Sequence, residues 1–265
     1  QINLVPIFPC IVKWVEMNND GYLDLVTIGG DSTGGTSARV YLNGPSYILE
    51  NSLSHYKGYL GVTAGGIDFG DFNNDGLIDF AVTGLNIEKQ PTAYIVKNYG
   101  YSIEAIDADI DGIFYGKPNW GDYDNDGDLD LLISGYSEGS GLYSVANPIT
   151  VLYNQDSNGS FFSDLSLALE SVGFSSAGWS DYNMDGDLDL FLAGRNANAD
   201  VVAKVYDNLE GIENANKAPN IPYGLDDSSI IGDQITLRWE APVDPPNSGG
   251  GFTPQEGLLY QLQVG

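Results

Sequence analysis

One nine-residue acidic pattern recurs four times in this chain, each time with the same flanks. The copies read Glu16-Met-Asn18-Asn-Asp20-Gly21-Tyr22-Leu-Asp24, Asp71-Phe-Asn73-Asn-Asp75-Gly76-Leu77-Ile-Asp79, Asp122-Tyr-Asp124-Asn-Asp126-Gly127-Asp128-Leu-Asp130 and Asp181-Tyr-Asn183-Met-Asp185-Gly186-Asp187-Leu-Asp189. An aromatic stands two residues ahead of each copy (Trp14, Phe69, Trp120, Trp179), and a short apolar run ending in glycine follows each. Oxygen-bearing side chains fall at positions 1, 3, 5 and 9, and glycine holds position 6 throughout. Such a repeat restricts the fold severely, because every copy must build the same turn between the same kinds of element.

The donor set is that of a hard cation. Calcium takes six to eight oxygen ligands from carboxylates and carbonyls in a flexible cage. Residues at 1, 3 and 5 can turn their side chains to one centre, and glycine at 6 allows a sharp reversal. The carbonyl of position 7 (Tyr22, Leu77, Asp128, Asp187) is then available, and the position-9 aspartate closes the shell. An EF-hand would use a glutamate at position 12 between two helices; here position 10 opens a β-type run. Plain Asp-Gly turns between strands are the simpler alternative. Against it, thirteen of the chain's 37 acidic side chains lie at these ligand positions. Like charges about 4 Å apart repel by ~4 kcal/mol at an effective dielectric near 20, so crowding them without a cation is costly. The expectation is about four Ca²⁺, one per loop. Glu16 departs from the aspartate of the other copies but is long enough to reach. The stretch Asp107-Ala-Asp109-Ile-Asp111-Gly112 imitates half of the pattern, but Tyr115 stands at its ninth position and no aromatic precedes it, so it reads as a solvated connection.

The loops recur at a period of roughly 50 to 60 residues. The runs after them (Leu25–Gly29, Phe80–Gly84, Leu131–Gly135, Leu190–Gly194) are short and apolar with a glycine stop, as buried strands are. A second strand follows each, ending near asparagine at Asn43, Asn98, Asn154 and Asn208. With the aromatic-bearing strand and a weaker outer one, each unit holds about four strands. The nearest approach to an amphipathic helix, Ser163 to Val172, is short. An all-β architecture follows. Over residues 11 to 208 the chain resembles the FG-GAP or VCBS repeat family, the calcium-bearing blades of integrin-α-type β-propellers. The resemblance implies blades whose metal loop joins the first two strands, with Trp14, Trp120 and Trp179 as blade-packing residues. Rings of that type usually close with seven blades, so four repeats imply part of a larger ring. Fold does not fix function, and the resemblance carries little about activity.

The composition shifts near residue 214, which divides a repeat region (1–213) from a C-terminal segment (214–265). Asn214 to Pro222 reads as a linker. Gln234-Ile-Thr-Leu-Arg-Trp239 and Leu258 to Val264 alternate as strands around a Pro/Gly-rich loop, Pro242 to Gly251. This order resembles the first half of a fibronectin type III domain, with Trp239 as core tryptophan. Such a partial β-sandwich needs more chain or a partner to cover both faces, so the expectation is part of a larger protein.

A formal charge of −27, with ten Lys and Arg against 37 acids, would repel a phosphate backbone and excludes nucleic acid as partner. No apolar run is long enough to span a bilayer. The single cysteine, Cys10, rules out an internal disulfide and reads as a small buried apolar residue. Calcium loops of extracellular affinity would stay empty in cytosol, which predicts an extracellular or cell-surface location; the absence of disulfides, with propeller-like and fibronectin-like modules in tandem, points to a bacterial surface or secreted protein. His55 is the only histidine and lies in a polar stretch, so histidine-based catalysis has no constellation to use. The leading expectation is a non-catalytic adhesion or scaffold module with a protein or glycan ligand. The alternatives are a lectin, a carboxylate-based polysaccharide-degrading enzyme, and a fibre or sheath subunit contacting neighbouring subunits.

Overall fold

A computed structural model describes residues 4–45, 50–51, 60–106, 108–137, 147–155, 159–163, 167–209, 223–231 and 234–240 of the 265. Every regular element among them is a strand, so no helix there is long and apolar enough to cross a membrane. The segments of His55, Asp107, the linker 214–222, the loop 242–251 and the strand expected at 258–264 lie outside the described residues.

The strands form small antiparallel sheets in chain order. The first holds β1 (Ile7–Val15), β2 (Asp24–Asp31), β3 (Thr36–Leu42) and β4 (Glu50–Asn51); the second β5 (Thr63–Gly70), β6 (Asp79–Leu85), β7 (Pro91–Asn98) and β8 (Ile103–Ile106). The third holds β9 (Phe114–Gly121), β10 (Asp130–Tyr136), β11 (Pro148–Gln155) and β12 (Phe161–Ser163), and the fourth β13 (Gly173–Ser180), β14 (Asp189–Arg195) and β15 (Val201–Tyr206). A hairpin of β16 (Tyr223–Ile231) and β17 (Gln234–Glu240) follows, with Ile230 opposite Ile235. Within each of the four sheets the first two strands are joined by an acidic loop. The sequence places the third strand's end at Asn154 in the third copy, whereas β11 runs on to Gln155.

By compactness the chain divides into two units, and the division runs through the third and fourth loops. One comprises residues 1–121, 128–180 and 190–206, and the other 122–127, 181–189 and 207–265.

In the first unit the apolar runs of β6 and β10 are buried on both faces. Phe80, Val82 and Val96 of the second sheet enter a core shared with Val26, Ile28 and Val40 of the first. The intervening Ala81 and Ile95 enter a different core with Trp120, Leu131 and Ile133 of the third sheet. Alternate residues of a strand point to opposite faces. A strand sandwiched between two neighbours therefore reads as a continuous apolar run, as β6 and β10 do. Strand β14 has one face covered: Leu190 and Leu192 are buried while Phe191 is 48% exposed.

The aromatics ahead of the loops pack on the preceding copy. A Cβ on Gly70 would stand 3.3 Å from the Trp120 ring, and one on Gly121 would stand 2.6 Å from the Trp179 ring. Phe69 packs into the core that contains Val15, the residue matching Gly70 and Gly121. Trp14 corrects the expectation that Trp14, Trp120 and Trp179 are alike blade-packing residues, because it is 57% exposed. No copy precedes the first among the described residues, so nothing supplies its seat. Cys10 is likewise exposed rather than buried, on the same strand as exposed Phe8 and Val12.

Candidate metal centre

The four loops share one hydrogen-bond frame. The position-1 carboxylate accepts the amides of positions 5 and 6: Asp75 N (3.0 Å) and Gly76 N (2.8 Å) on Asp71, Asp126 N and Gly127 N (both 3.1 Å) on Asp122, and Asp185 N (3.1 Å) and Gly186 N (3.2 Å) on Asp181. Glu16 takes the same pair, Asp20 N at 3.2 Å and Gly21 N at 2.7 Å, so its extra methylene leaves the frame intact. The position-5 carboxylates of Asp20, Asp75 and Asp185 accept the position-7 amides of Tyr22, Leu77 and Asp187. Glycine at 6 has φ between 85° and 98° in all four copies, a conformation costly for any side chain.

Position 9 is buried in every copy: Asp24, Asp79 and Asp130 are 0% exposed and Asp189 2%. A buried carboxylate needs hydrogen bonds to its charge. The first residue after β3, the last of β7 and of β11, and Asn208 beyond β15 supply one: Asn43 N, Asn98 N, Gln155 N and Asn208 N donate at 2.7, 2.7, 2.9 and 2.9 Å. Met17 N and Tyr182 N add a second bond to Asp24 and Asp189. The side chain of that same third-strand residue reaches the preceding loop. Asn98 Nδ2 donates to Met17 O (2.6 Å), Gln155 Nε2 to Phe72 O (2.8 Å) and, within the second unit, Asn208 Nδ2 to Tyr123 O (2.8 Å). These four amide residues were missed as functional positions, although their regular recurrence at the strand end is visible in the sequence.

A second link joins consecutive loops. Asn19, Asn74 and Asn125, all at position 4 and all with φ of 56° to 58°, donate to Gly76 O, Asp128 Oδ1 and Asp187 Oδ1 at 2.8, 3.0 and 2.6 Å. Asparagine tolerates this left-handed conformation better than most residues. Met184 holds the same position in the fourth loop with φ 63° and is 89% exposed, and no further loop follows it among the described residues.

The sites differ in how their acids converge. In the third loop one oxygen each of Asp122, Asp124 and Asp130 lie within 4.8 Å of one another, the one such trio of acidic side chains among the described residues. In the second loop Asn73 Nδ2 bonds Asp79 Oδ2 at 2.7 Å, and Asn73 Oδ1 is buried without a donor. In the first and fourth loops the position-3 amides, Asn18 and Asn183, bond within the loop to Asp20 and Asp185. Asp128 and Asp187 use their carboxylates for the contacts between loops. Burial, followed by Asp126 and Asp124, pushes Asp122 up to about 7; burial, followed by Asp75 and Asp71, pushes Asp79 up to about 7. Burial also raises Asp24 and Asp187. Carboxylates crowded in this way are relieved by a bound cation, whose charge inverts the local preference for the protonated form.

The FG-GAP-like repeat model matches residues 17–82 and 122–192, more than half of the chain, and takes in all of the last three loops and the first from its second residue. The chain belongs to the FG-GAP-like repeat family. Repeats of this family often bind calcium, and the oxygen-only donors, the buried Asn73 Oδ1 and the third-loop trio suit such an ion. No curated protein matches the chain.

Proposed function

We propose that this FG-GAP-like chain is a calcium-binding, non-catalytic interaction module of an extracellular or cell-surface protein, bacterial in origin. Positions 1, 3, 5 and 9 of each loop, with the carbonyl at 7, hold one Ca²⁺ apiece. The observation that carries this reading is the shared amide frame: four loops orient their position-1 and position-9 carboxylates identically and crowd them in partly buried turns. Linkage supports the placement outside the cell. At calcium between one and ten times Kd, each site contributes about 0.4 to 1.4 kcal/mol, so about four sites contribute ~2 to 6 kcal/mol against a typical folding free energy of ~5 to 15 kcal/mol. The cation would lock loops that already hold one another through Asn19, Asn74 and Asn125.

The four sheets are read as β-propeller blades, and β16 with β17 as the opening strands of a fibronectin type III-like domain that includes Trp239. Small-angle scattering of the purified chain against a propeller-plus-sandwich profile tests the architecture. Thermal melts with and without EDTA test the metal. A fall of several degrees on chelation is expected, and an unchanged melting temperature overturns the calcium assignment.

A further inference from the structure

Strands β1, β5, β9 and β13, the first of each sheet, converge on an open groove of about 580 Å³ within the first unit. Each of these strands leads into its acidic loop at its far end, so Tyr115 and Phe174, near the strand starts, stand away from the loops. The rings of Tyr115 and Phe174 are stacked with centroids 4.8 Å apart, and Tyr136 meets Phe174 edge-on at 5.4 Å. Phe174 is nevertheless 54% exposed. Both backbones are left-handed, with φ of 49° and 46°, as is Ala64 at the matching position of β5 with φ 56°. The bulge therefore belongs to the repeat, whereas aromatics at this position distinguish the third and fourth copies from the second.

Lys13 and Lys117 border the same groove. In a chain of net charge −27, lysines readily find acids, as Lys97 does with Asp75 and Lys204 with Glu170. Among the described residues neither Lys13 nor Lys117 has such an ion pair. Gly66 is what admits Lys117, since a Cβ there would collide with the Lys117 side chain. Asp68 on the groove accepts the Trp120 amide at 2.9 Å and keeps a second oxygen for a hydroxyl donor.

We infer that this groove binds a short carboxylated oligosaccharide. A flat aromatic face suits the apolar face of a sugar ring. Two ammonium groups suit its carboxylate, and Asp68 suits its hydroxyls. Screening limits the opposing field of the distant acids to roughly 8 Å at physiological ionic strength, which favours a short oligomer over a long polyanion. The inference deepens the reading of the chain as an interaction module by naming a ligand class, and it needs no metal within the groove.

Calorimetric titration with tetragalacturonate tests it, with neutral galactotetraose and hexaglutamate as comparison ligands. The titrations are run in saturating calcium, and bound metal is counted separately, so a silent groove and vacant loops are distinct results. Tetragalacturonate should bind at least tenfold more tightly than either comparison ligand. Phe174→Ala and the pair Lys13→Gln/Lys117→Gln should each weaken binding at least tenfold, while Lys204→Ala leaves it unchanged. Phe174→Leu replaces the alanine variant if that fails to fold, since it keeps bulk and removes the flat face. Absence of binding at millimolar ligand, equal binding of hexaglutamate or of the neutral sugar, or wild-type affinity in the lysine pair or the Phe174 variant would each overturn the assignment.

Discussion

Trp120 and Trp14 stand at the same point of the repeat, two residues before the first acidic ligand, yet Trp120 is 8% exposed and Trp14 57%. Trp120 rests on Gly70 of the copy before it and stacks on Phe72 at 5.9 Å and 6°. Among the described residues no earlier copy offers Trp14 such a seat. The same contrast separates β10, buried along its whole length, from β14, whose Phe191 faces outward. Burial in a repeat is thus a property of the neighbour as much as of the residue. The pairs even match in size, because tryptophan sits over glycine at Gly70 and Gly121 while the smaller Phe69 shares a core with Val15.

The largest test of this contrast is truncation of the two tryptophans. Trp120→Ala should cost ~3 to 5 kcal/mol, as removal of a buried aromatic does, whereas Trp14→Ala should stay within ~1 kcal/mol because little buried area is lost. Urea unfolding of both variants measures the difference, and equal costs would break the account of neighbour-dependent burial. Next in size is the amide bridge from the third strand to the preceding loop. Asn98→Ala strands the buried Met17 carbonyl and should cost ~1 to 3 kcal/mol. The Asn43 side chain bonds within its own copy, to Leu23 O, at the surface, and Asn43→Ala should cost under ~1 kcal/mol.

Acid titration of the metal-free protein separates the buried loops from the rest. Asp79 and Asp122 are raised to about 7 in the folded state, against an ordinary value of 3.8. Between those limits the native chain binds more protons than the unfolded one, so stability falls as pH rises from about 4 to about 7. Melting temperature without calcium should therefore increase as pH is lowered from 8 to 5, and Asp79→Asn should flatten part of that trend. With calcium present the dependence should weaken or reverse, because protons compete for the ligands. The smallest expected effect is at position 4. Met184→Asn should stabilise by a few tenths of a kcal/mol, about what relief of an unfavourable left-handed backbone gives, while Asn125→Ala, which strands the Asp187 bond, should cost ~1 kcal/mol. Thermal melts of the two variants measure both signs.

The turns and the strands after them were legible because their chemistry is local. A glycine at positive φ, acids at alternating positions and an apolar run of strand length each leave a mark within a dozen residues. Asp24, Asp79, Asp130 and Asp189 were recognisable as loop closers on that basis, although their full burial was not. What stayed hidden depends on contacts between copies. Asn98, Gln155 and Asn208 reach the preceding loop across more than eighty residues of chain, and their role follows only once the sheets are stacked. Trp14 was misjudged for the same reason, since it was assigned the environment of an interior copy, while Cys10, read as a small buried apolar residue, is exposed. The bulge at Ala64, Tyr115 and Phe174 escaped notice because alanine and aromatics carry no signature of a left-handed backbone.

Metal counting by equilibrium dialysis tests the central claim most directly. In millimolar calcium the wild-type chain should retain about four ions, and Asp126→Ala should lose one and keep the remainder. No bound calcium in the wild-type protein, or an unchanged count in Asp126→Ala, would contradict the assignment of the four loops.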